Sequence, residues 1–128
     1  MIGSVRIAII PHGEQRYRTV GDWVLDADGA LTINVSAMGD WRAEMLVAIH
    51  ELVEVVLCTA HGITSGMVDV FDMNHQDLDE PGADLLAPYR LEHFEAERIE
   101  RVVADAIPIS WEYHERLLDK VNGGNEAK

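Results

Sequence analysis

One cysteine, Cys58, leaves no partner for an internal disulfide, and a reducing compartment is the expectation that follows. Positive charge is scarce as well: ten Lys and Arg stand against twenty-three Asp and Glu, a formal charge of −13 over 128 residues. Such a surface repels phosphate backbones and anionic lipids, and no stretch interleaves basic with aromatic side chains. Direct nucleic-acid binding and membrane association are therefore set aside. No apolar run approaches the roughly 18 to 20 residues of a membrane span, and MIGSVRIAIIP lacks the charged head and cleavage site of a secretory signal. A soluble, cytoplasmic protein is expected. The function classes left are chemistry on a peptide or small-molecule substrate, metal binding, or docking on a basic host partner, the last as an inhibitor or nucleic-acid mimic.

Apolar residues supply 48% of the chain and charged residues 26%, enough for a buried core and too apolar for a solvated acidic tail. One α+β domain is expected over residues 1–122, with 123–128 as a disordered tail. Val5 to Ile10 is rich in β-branched residues and ends at Pro11. Two further runs, Asp22 to Asp26 and Leu31 to Ser36, flank an Asp28-Gly29 step that signals a hairpin. These give about three strands, read as antiparallel.

A long helix follows, capped by Asp40 and free of Gly and Pro from Trp41 to Ala60, with Gly62 as its stop. Most of its circumference is apolar, including a face of Trp41, Met45, Ala48, Leu52, Val55 and Val56. A narrow polar stripe carries His50, Glu51, Glu54 and His61, and it must face either solvent or a site. Ile63 to Pro88 reads as a turn-rich connection around the apolar knot Phe71-Asp72-Met73. Pro88 then opens a second long helix to about Ala106, and Ser110 caps a short C-terminal one.

His50 and Glu54 are one helical turn apart, so an imidazole nitrogen and a carboxylate oxygen project from the same side, as two ligands of one metal ion need. Glu51 is rotated by about 100°, where it can take a proton from water activated at the ion. His93 and Glu97 repeat the spacing on the second helix. His93 is the candidate third ligand, and Glu97 the residue that orients it. Asp72, a carboxylate among apolar residues, is the candidate fourth. His12, His75 and His114 fall at a turn, in an acidic loop and on a polar helix face, and read as solvent-exposed. Trp23, Trp41 and Trp111 read as core and helix-edge anchors.

The segment from Val47 to Leu57, VAIHELVEVVL, resembles the active-site helix of the zincin metallopeptidases, with Glu54 standing where their second histidine would be. That resemblance implies a zincin-like fold and metal-assisted hydrolysis of a peptide or amide bond, with Glu51 as general base. The implied cofactor is a divalent ion, zinc first, with manganese or iron admitted by the extra carboxylate. The chain is also similar to small proteins of bacteriophages and prophages. The similar segments are Gly39-Asp40-Trp41-Arg42, His50 to Glu54, Val70-Phe71-Asp72, Ala87 to His93 and Ala96 to Glu100. This second likeness implies a phage origin and a bacterial host cell.

Overall fold

A computed structural model describes residues 1–123. It is an α+β arrangement of three strands, β1 (Ser4–Ile10), β2 (Gly21–Leu25) and β3 (Ala30–Ser36), and four helices, α1 (Trp41–Ala60), α2 (Ser65–Asn74), α3 (Arg90–Ala106) and α4 (Trp111–Gly123). The tail proposed from the sequence lies outside the described residues, except for Gly123, which ends α4.

The hairpin signal is borne out. β2 and β3 pair antiparallel with Trp23 opposite Ile33. Asp26 closes the turn by accepting from the Asp28 and Ala30 amides, and Gly29 takes the positive φ of 85° that a residue with a Cβ resists. The first strand departs from expectation: β1 pairs parallel with β3, so the sheet is mixed, in the order β1-β3-β2. The reason lies in residues 11–20, which cross the end of β3 instead of turning back beside β1. Gln15 and His12 anchor the crossing by hydrogen bonds to the Asn34 carbonyl and the Ser36 hydroxyl. β3, whose Leu31, Ile33 and Val35 are all buried, thereby takes the centre of the sheet.

α1 packs on β2 and β3 with one side and on α3 with another. Asp40 caps it by accepting from the Arg42 amide. Its rotation differs from the one that hydrophobicity alone suggests. Ala43, Val47, Ala48, Val55 and Cys58 join Trp23, Leu31, Ile33 and Val35 in the main core. The polar residues His50, Glu51 and Glu54 are buried too, while Trp41, Met45 and Val56 face outward. A helix contacting two layers has too little exposed circumference to turn both its apolar and its polar stripes as a simple amphipathic pattern would.

The connection read as turns contains α2, which Thr64 caps by accepting from the Met67 amide. Helix α3 begins at Arg90, two residues beyond Pro88. Ser110 caps α4 through the Tyr113 amide. No helix among the described residues is long and apolar enough to cross a membrane.

Candidate metal centre

The inward stripe of α1 meets α3 around His50 and Glu54. His50 and His93 lie with ring centroids 4.9 Å apart, edge to face. Between them sits Glu54, whose Oε2 is 3.3 Å from His50 Nε2 and 3.2 Å from His93 Nδ1. These three side chains each offer one ligand atom, all within 4.8 Å of one another. Helical spacing aligns His50 with Glu54, and the packing of α3 on α1 delivers His93.

Further groups fix the three in place. Trp23, on β2, donates its indole N–H to Glu54 Oε1 at 3.1 Å, leaving Oε2 to face the imidazoles. His50 Nδ1 donates to Glu100 Oε1 at 2.8 Å, so the ring turns Nε2 toward Glu54. The other oxygen of Glu100 accepts from His114 at 2.6 Å. A carboxylate on the far nitrogen of a ligating histidine sets its tautomer and raises its basicity.

Two glycines let backbone approach this closely. A Cβ at Gly82 would sit 2.7 Å from Cγ and Nδ1 of His93. One at Gly21 would sit 2.7 Å from Val47 Cγ1 and 3.0 Å from the Glu51 carboxyl carbon. Only a hydrogen fits at either position.

Six carboxylates are buried among the described residues, Asp22, Glu51, Glu54, Asp72, Glu92 and Glu100, and no Lys or Arg is buried with them. Their partners can be followed one by one. Arg16, from the partly exposed crossing segment, grips both oxygens of Asp22 at 2.8 Å. His61 serves Glu92 at 2.6 Å. Asp72 accepts from the Tyr17 hydroxyl at 3.0 Å and from that of Tyr89. Glu54 and Glu100 share the histidines. Glu51 alone has no hydrogen-bond partner, and it lines a cleft of about 140 Å³ together with His50, Glu54 and His93.

Burial and charge shift these groups in opposite directions. For Glu54, burial pushes the pKa up, but the hydrogen bonds from His50 and His93 prevail and hold it at about 2. For His93, burial pushes down, and Glu54 with Glu80 overcomes this to bring it up to about 9. His50 is likewise raised well above its ordinary value, as Glu100 and Glu54 outweigh burial. Glu51, without such help, is raised well above the carboxylate range by burial and by the negative charge of Glu54. Burial also raises Asp72, to about 6, against the pull of its two tyrosines.

Of the residues proposed from the sequence, His50, Glu54 and His93 converge, and Glu51 stands at the cleft beside them. Asp72 lies outside the group of three, its carboxylate taken up by Tyr17 and Tyr89. Glu97 makes no hydrogen bond to His93 and is 3.8 Å from Arg101; the orienting carboxylate of the site is Glu100, acting on His50. His114 is fully buried, contrary to the exposed reading, because α4 folds it onto Glu100. His12 and His75 are partly covered, and the Trp41 side is 68% exposed, so that residue anchors no core. Sequence reasoning missed Trp23, Glu100 and His114 as supports. Glu100 follows His93 by seven residues, two helical turns, and that spacing was the available signal.

Comparison with known proteins supplies no relative: no family model, no curated protein and no solved structure matches the chain.

Proposed function

We propose that the protein is a divalent-metal-dependent hydrolase in which His50 Nε2, Glu54 Oε2 and His93 Nδ1 hold the ion and Glu51 is the general base. The observation that carries this reading is the convergence of those three donors from α1 and α3 on one point. The charge pattern supports it. Without an ion, His50 and His93 each carry the proton that lets Glu54 accept from both; exchanging those two protons for one dication leaves the buried charge unchanged. An interior rich in carboxylates and, among the described residues, without buried Lys or Arg is suited to that exchange.

A bound divalent ion lowers the pKa of water toward neutrality and polarises a carbonyl. Glu100 keeps His50 in the ligating tautomer, and Trp23 aims the Glu54 oxygen. Glu51, unpartnered and with its proton affinity raised by burial and by Glu54, stands where it can accept a proton and return it to a leaving group. Two imidazoles and a carboxylate suit zinc first, with manganese or iron as the oxygen-tolerant choices. The proposed substrate is a peptide or amide, in line with the zincin-like HELVE segment. A zincin-like fold and a phage origin belong to the same proposal.

Elemental analysis of tag-free protein, wild type against His50→Ala and His93→Ala, tests the ion. Turnover of a pooled fluorogenic peptide library tests the chemistry. Glu51→Gln is expected to keep the ion and lose about 10²- to 10⁴-fold in rate. If Glu51→Gln leaves turnover unchanged, the base is assigned wrongly. A purely structural ion would instead be lost with unfolding and without any turnover to lose.

A further inference from the structure

The ring of His93 has a second face. Its Nδ1 is turned to Glu54, but its Nε2 is buried with no hydrogen-bond partner, in a residue only 8% exposed. An orphaned donor or acceptor at this depth costs about 1–3 kcal/mol, so native structures seldom keep one without a purpose. Glu80 Oε1 lies 3.5 Å from this nitrogen, an ion-pair contact that helps raise the His93 pKa but falls outside hydrogen-bond geometry. Glu97, one turn along α3 from His93, adds a second carboxylate. Glu80, His93 and Glu97 each offer a ligand atom within 4.8 Å of the other two. The turn Pro81–Ala83 makes this possible: Gly82 rests on the His93 ring, and that contact carries the preceding Glu80 to the ring's edge.

We propose that Glu80, Glu97 and His93 Nε2 form a second, outer divalent-cation site that shares the His93 ring with the inner centre. Two carboxylates and one imidazole, with Glu80 half exposed, favour Zn²⁺ or Mn²⁺ with water completing the coordination. When both sites are filled, both ring protons of His93 pass to solvent and the ring bridges the ions as imidazolate. The outer site depends on the proposed hydrolase centre only through that shared ring. Its consequence for a hydrolase is a second cation held across the His93 ring from the inner one, where it would add positive charge at the mouth of the cleft.

The test is metal stoichiometry of the full, tag-free chain, by calorimetric titration with Zn²⁺ and by elemental analysis. Circular dichroism monitors the fold throughout. Wild type is expected to bind two ions, the Glu80→Gln/Glu97→Gln double variant one, and His50→Ala to retain the outer ion. If wild type binds one ion, lost in His50→Ala and unaffected in the double variant, the outer site is overturned and the inner reading stands. If the one ion survives His50→Ala and is lost in the double variant, the outer site stands and the inner reading falls. Absence of binding overturns both. With two Cu²⁺ per chain, electron paramagnetic resonance is expected to show spins coupled through the ring; two isolated signals would overturn the sharing.

Discussion

Glu100 is the residue on which the geometry of His50 depends. Its oxygens serve His50 at 2.8 Å and His114 at 2.6 Å, both inside the protein. Replacing it by Ala removes the orienting acceptor and strands two imidazoles. The expected loss is about 10- to 100-fold in Zn²⁺ affinity, read by competition with a chromogenic chelator. Glu100→Gln, which still accepts hydrogen bonds, is expected to recover part of it. The ligand spacing His50-x-x-x-Glu54 was legible in the sequence because helical geometry alone dictates it. Glu100 was not. It sits in a run of charges, Glu95 to Arg101, that has the composition of a solvated face, and it is buried between His50 of α1 and His114 of α4.

The elements explain what periodicity could and could not reveal. The β2–β3 hairpin and α1 were readable because their signals are local: an Asp-Gly turn, a cap, an uninterrupted helical stretch. The parallel pairing of β1 was not, since it is set by the crossing of residues 11–20 over β3, held by long-range hydrogen bonds from His12 and Gln15. Helix α2 was hidden because Gly66 and two aspartates, Asp69 and Asp72, lower its helical propensity; Arg16 bridging to Asp69 and the tyrosines on Asp72 hold it from outside. The turn over α3 carries a sharper expectation. Gly82→Ala would place a methyl 2.7 Å from the His93 ring and the Tyr89 ring. Overpacking of this kind costs about 1–3 kcal/mol and pushes His93 off line, so both the denaturant midpoint and Zn²⁺ affinity should fall. Gly13→Ala, with open space around its Cβ, is the control and should change neither.

Taken together, the domain stores a buried ion-pair network whose energy depends on pH. The pKa of His93 is raised from 6.5 to about 9 in the folded state, so the ion-free protein binds more protons folded than unfolded over that interval. The associated stability is fully present below pH about 6.5 and is lost as pH rises through about 9; at about 1.4 kcal/mol per pH unit it amounts to about 3 kcal/mol. Urea unfolding of chelator-treated protein across this range checks the sign, and a stability that rises with pH would contradict it. Zn²⁺ affinity should move the other way, tightening as pH rises, because the same protons must leave His50 and His93 before the ion enters. Saturating Zn²⁺ should also raise the unfolding midpoint, by about 2.7 kcal/mol of added stability at one hundred times Kd.

Zinc K-edge X-ray absorption on the tag-free Glu80→Gln/Glu97→Gln variant at one equivalent of Zn²⁺ reads the inner centre directly. The expected shell holds two imidazole nitrogens at about 2.0–2.1 Å and at least one carboxylate oxygen, with imidazole scattering reduced to one ring in His50→Ala. An all-oxygen shell, or one unchanged by that substitution, would contradict the assignment of His50, Glu54 and His93 as ligands.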